Sequence, residues 1–115
     1  MLRLTARLAD SWNTDWVLPT DLPPHLAAVG AACAVVGRDP ATLERTAAVR
    51  IELPEARRYP LDTYRGQFSG SIEEMAAFLR AYADFGIAHV QIWLIPGTAR
   101  SIEKFAPVLD VLARG

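Results

Sequence analysis

The run IAHVQIWLI at residues 87–95 limits what this chain can become more than any other stretch. It is almost continuously apolar and is bounded by Gly86 and by Pro96-Gly97. A segment this short is below the length of a membrane-spanning helix, and its composition predicts a strand buried on both faces of a parallel sheet. Parallel strands need long crossover connections, and the preceding residues supply one. Ser71 with Glu74 spells a capping box, and Met75, Phe78, Leu79, Tyr82 and Phe85 give the helix that follows a wide apolar face, closed by Gly86.

The same unit recurs along the chain. Val49, Ile51 and Leu53 alternate with Arg50 and Glu52, which predicts a strand over 46–53. Upstream, Leu26, Val29, Cys33 and Val36 build one helical stripe, announced by Asp21, Pro23 and Pro24 and ended by Gly37. Asp39 can cap a short turn that begins at Pro40. Residues 2–9 predict a first helix carrying Leu2, Leu4, Ala6, Leu8 and Ala9, and Ser11 to Asn13 a brief strand. A last helix from Ser101 offers Ile102, Phe105, Val108, Leu109 and Leu112, with Pro107 removing a backbone donor inside it. The order α-β-α-β-α-β-α places the chain in the α/β class with right-handed crossovers. Periodicity alone leaves a small open sheet and an arc of a barrel equally open. Residues 54–70, PEARRYPLDTYRGQFSG, carry no period and read as a long connection of the kind that is commonly functional.

At 115 residues the chain suffices for one modest domain, and a 51% hydrophobic content fits a globular core. A net charge of −1 gives no electrostatic footprint for nucleic acid or an anionic membrane. The single cysteine, Cys33, lies within an apolar stripe and reads as a buried thiol in a reducing compartment. With no signal-peptide pattern and no spanning run, a cytoplasmic protein is expected. His25 and His89 have no metal-ligand company, so no metal is expected. There is no GxGxxG, P-loop, C-x-x-C or nucleophile elbow.

Three segments taken together resemble the C-terminal part of the bacterial luciferase-like monooxygenase family of flavin- and deazaflavin-dependent oxidoreductases. They are LTARLADSWN at 4–13, ACAVVGRDPATLERT at 32–46, and GSIEEMAAFLRAYADFGIAHVQIWLIP at 70–96 with FAPVLDVL at 105–112. The resemblance implies a partial (β/α)8 TIM-type barrel of about three parallel strands and four helices, with residues 1–115 as its C-terminal segment. The strands would be the sixth, seventh and eighth, and the chain would open at an internal Met. The resemblance further implies FMN or a deazaflavin as cofactor, although the Gly- and Ser-rich phosphate turn of the family would lie upstream of Met1. A fragment or subunit inactive alone is therefore expected. The alternative is a non-catalytic α/β remnant that self-associates without cofactor.

In such barrels the site gathers at the C-terminal ends of the strands. Trp12 and Asn13 are the candidate cofactor-binding residues, since an indole can pack on a ring system and an amide can both donate and accept. Gln91 and Trp93 share one face of the last strand and are substrate-facing candidates, as are Arg57 and Arg58 in the 54–70 connection, which suit an anion. Gln91 equally suits a hydrogen bond inside the barrel, and Arg57 and Arg58 a solvated loop. Ser71 is explained by its cap, and His89 falls at the stability end of its strand. A sheet cut from a barrel exposes two edges, so a homo-oligomer or a complementary barrel fragment is the expected partner.

Overall fold

The computed structural model describes residues 1–53 and 67–115. The chain runs through α1 (Leu2–Leu8), β1 (Ser11–Asp15), a 3-10 turn (Pro19–Asp21), α2 (Leu22–Val36), a second 3-10 turn (Pro40–Thr42) and β2 (Glu44–Glu52). It continues through β3 (Gln67–Phe68), α3 (Ile72–Asp84), β4 (His89–Ile95) and α4 (Ala99–Ala113). All pairings are parallel, with β2 between β1 and β4. Because β4 occupies one edge of β2 from Thr46 to Glu52, β3 joins the opposite edge at Arg50 and Ile51, beyond the point where β1 ends. Consecutive long strands are thus spatial neighbours, the order of a partial TIM-type fold.

Local chemistry accounts for the element boundaries. Gly37 stands in the left-handed region at φ 73°, where its lack of a Cβ lets α2 stop. Asp39 accepts from the backbone N–H of Ala41 and holds the following turn. The Ser71–Glu74 capping box is complete and starts α3. Thr98 caps α4, which begins at Ala99 rather than Ser101 and carries Pro107 within it.

The helices cover one face of the sheet. Ala47, Val49 and Ile51 of β2 and Val90, Ile92 and Leu94 of β4 pack with Met75, Leu79 and Tyr82 of α3 and Phe105 and Val108 of α4. A second cluster joins Ala6 of α1 to Val29 and Cys33 of α2 and to Leu43. Tyr82 is fully buried, and its hydroxyl donates to the carbonyl of Val17 at 2.7 Å, tying α3 to the segment that leaves β1. Burial, and secondarily Asp21, raises its phenol above the ordinary 10.0.

Several expectations are corrected. The apolar run is not buried on both faces: His89, Gln91 and Trp93 are exposed, because they alternate onto the face opposite the helices and, among the described residues, β4 has a paired neighbour on one side only. The alternating strand is the interior one, and Glu52 on its polar side is 1% exposed. Strand pairing also extends past Asn13 to Asp15, and Gln67–Phe68, read as connection, forms β3. No described helix is long and apolar enough to cross a membrane.

Candidate active site at the strand ends

The face of the sheet away from the helices gathers the polar and aromatic side chains of a candidate site. In parallel pairing, residues in register share a face, so Asn13 aligns with Thr46, and Arg50 with both Gln67 and Trp93. Period-two alternation then adds Asp15, Ala48, Glu52 and Gln91 to the same side. The C-terminal ends of the strands bring Asp15, Arg50, Glu52, Gln67 and Trp93 together.

Hydrogen bonds order this face from one strand to the next. The hydroxyl of Thr46 donates to Asn13 Oδ1 at 2.8 Å, and Asn13 Nδ2 donates to Asp15 Oδ1 at 2.6 Å. That chain fixes the amide orientation of Asn13. Further along, the amide of Gln67 donates to the carboxylate of Glu52, both side chains being buried. Among the described residues, the buried Gln67 Oε1 has no hydrogen-bond donor.

Two indoles flank a guanidinium on this face. The guanidinium carbon of Arg50 lies 3.9 Å from the ring centroid of Trp16 and 5.7 Å from that of Trp93. The two indoles are 5.7 Å apart and tilted by 52°. Trp16 reaches this position through an unusual backbone. Its N–H still donates to the carbonyl of Ala48 at 2.8 Å, yet its φ is 59°, a conformation rare for a bulky residue.

The sequence-derived candidates are distributed unevenly. Asn13, Gln91 and Trp93 lie on the open face. Trp12 lies on the other side, aligned with Arg45 and packed against the α1–α2 cluster, since neighbours in a strand point oppositely. Arg57 and Arg58 fall outside the described residues. His89 is at the N-terminal end of β4 and is exposed, and His25 is exposed on α2. No group of three His, Cys, Asp or Glu able to hold a metal occurs among the described residues.

Trp16, Arg50, Glu52 and Gln67 are the residues that sequence reasoning missed. Arg50 and Glu52 were visible as the polar half of an alternating strand, but alternation alone assigns that half to solvent. Once β2 is recognised as interior, its polar half becomes part of the candidate site. For Trp16, which follows a strand end and departs from alternation, no sequence signal existed.

By sequence, neither a family model nor a curated protein matches the chain. By structure, it is similar to an F420-dependent secondary alcohol dehydrogenase solved in complex with an F420-acetone adduct. The TM-score is 0.72 over 96% of this chain at 14% sequence identity. The chain spans 45% of the length of that protein. The two share a fold.

Proposed function

We infer that the chain is the C-terminal segment of a luciferase-like oxidoreductase barrel that works on a deazaflavin rather than FMN. The observation carrying this reading is the fold likeness to an F420-dependent secondary alcohol dehydrogenase over 96% of the chain. It is supported by the strand-end face, where an exposed indole and oriented amides suit a planar, hydrogen-bonding ring system. When bound, a reduced deazaflavin supplies the hydride. The chain's own residues would bind and orient: Asn13 as donor and acceptor, Trp93 as a flat apolar wall, Gln91 as a substrate-facing amide. Trp12 would support the site from behind β1, and Arg57 and Arg58 would meet an anionic group. Oxidoreductase turnover is expected to need a complementary barrel segment, given the 45% span.

An anaerobic titration of the purified chain with reduced F420, and in parallel with reduced FMN, tests the reading. Saturable binding of F420 and weaker binding of FMN is the expected result; binding of neither would remove the cofactor role from this chain. A second reading, a self-associating module without cofactor, is favoured by one feature. Exposed Leu4 and Leu8 on α1 and Ile102 and Leu109 on α4 leave apolar residues uncovered on the first and last helices. Light scattering that finds a stable dimer with no cofactor binding would favour it.

A further inference from the structure

We propose that a second copy of this chain docks head to tail, its β1–α1 edge seated in the groove along the β4–α4 edge of the first, and that two such contacts close a two-fold dimer. The proposal rests on the reading of the chain as a barrel segment and names what completes it.

The outer edge of β4 is the first observation. Among the described residues β4 pairs with β2 alone, so a row of backbone N–H and C=O groups runs along its other side. Natural sheet edges are commonly guarded by lysine, proline or a bulge, and the strand HVQIWLI has none of these. A groove of about 550 Å³ lies there, lined among others by Ile92, Trp93 and Leu94 of β4 and by Ile102 of α4. Adjacent strand residues point to opposite faces, so a groove that touches all three lies at the strand's edge. The strand with a matching open side is β1, which also pairs with β2 alone among the described residues.

The flanking helices are the second observation. α1 packs on α2 and α4 packs on α3, which leaves α1 and α4 at the two ends of the helix row. Arg80 of α3 donates to the carbonyl of Val111 at 2.6 Å, so α3 lies on the Val111 side of α4. Helical spacing puts exposed Ile102 and Leu109 on the other side, towards the open edge. Exposed Glu103 and Asp110 border that apolar stripe, while Arg100 and Lys104 lie further round the helix. On α1, Ala6 packs with α2, and Leu4 and Leu8 are exposed beside exposed Arg3 and Arg7. α1 carries no acid. One apolar stripe thus has an acidic border and the other a basic one.

These charges select the pairing. Joining β4 to β4 of a copy would set Glu103 and Asp110 against the same two acids, and joining β1 to β1 would do the same to Arg3 and Arg7. Like charges across an interface are costly, and β4 on β1 brings opposite ones together. A two-fold axis along the strands keeps every strand parallel and covers both edges of both copies, so the assembly stops at two. The chain spans 45% of the length of its structural neighbour, and one further copy has about the size of the remainder.

The test reads the assembly state of the 115-residue chain by sedimentation equilibrium, with a dimer expected. Two variants reverse the borders: Arg3→Glu with Arg7→Glu, and Glu103→Arg with Asp110→Arg. Each puts like charges on both contacts and should weaken the dimer at least about tenfold. Mixed in equal amounts, the two variants regain opposite charges at both contacts, and a heterodimer close to the unaltered dimer in strength should form. Arg7→Glu and Asp110→Arg alone should show the same pattern more weakly, which covers a double variant that does not fold. A monomeric unaltered chain would overturn the proposal, and so would assemblies larger than two. Variants that dimerise like the unaltered chain, or that are folded by circular dichroism and do not recover on mixing, would also overturn it. The deazaflavin titration reads cofactor binding and not mass, so either reading can fail alone.

Discussion

β2 and β4 are partners over seven residues from Thr46↔His89 to Glu52↔Ile95, yet their environments are opposite to what their compositions suggest. β4 is the more apolar strand and shows alternate side chains to solvent, while β2 carries Arg50 and Glu52 and is interior. Burial therefore follows the number of neighbours a strand has, and apolar content follows only where those neighbours are helices. A polar residue on an interior strand is expensive unless it is paired or used. This makes the polar half of β2 a better guide to the site than the apolar half of β4.

The largest test of that contrast is in the core. Ile51→Ala in β2 should cost about 3–4 kcal/mol in urea unfolding, and Ile92→Ala in β4 about half as much, since Ile92 is only partly buried. Equal losses would mean that β4 is enclosed as fully as β2. On the open face the contrast should sharpen. Glu52→Ala leaves buried Gln67 without its acceptor and should cost about 2 kcal/mol, whereas exposed Gln91→Ala should stay within about 0.5 kcal/mol. A costly Gln91 variant would show a partner on the outer side of β4.

The smallest effect is confined to alkaline solution and reports on the helix side, where Tyr82 packs against β2. Its phenol is raised in the fold, by burial first and by Asp21 second, so the phenolate forms more readily in the unfolded chain. The stability this contributes is complete below pH 10.0 and is lost as pH rises above that value towards the folded one. Tyr82→Phe should remove that alkaline decline in a pH series of unfolding midpoints; a decline that persists would assign it to other groups.

Much of the fold was legible because its signals are local. Gly37, the Asp39 turn and the Ser71–Glu74 box act within a few residues, and each stands where the sequence put it. The helix stripes and the parallel class followed from period and order. The strand environments were not legible, since edge and interior positions depend on pairing between distant segments. The site suffered most from this. Asn13, Gln91 and Trp93 could be placed by their nearness to strand ends, but Trp12 was paired with Asn13 although adjacent strand residues diverge. Arg50 was visible only as a polar residue of an alternating strand, and its place between β3 and β4 depends on distant pairing; Trp16 needs a backbone reversal that no residue pattern announces.

The long β2–β4 ladder also sets a timetable for assembly. β1 and β2 can meet soon after Glu52 is made, but β4 completes the sheet only after Ile95 has been made, with α3 in between. At ordinary synthesis speeds that interval is on the order of a few seconds. Throughout it, one side of β2 presents unpaired backbone, and Val49 and Ile51 lack the helices that come to enclose them. The strand that is interior in the finished molecule is thus half-paired for seconds on the ribosome, a segment for which a chaperone would matter.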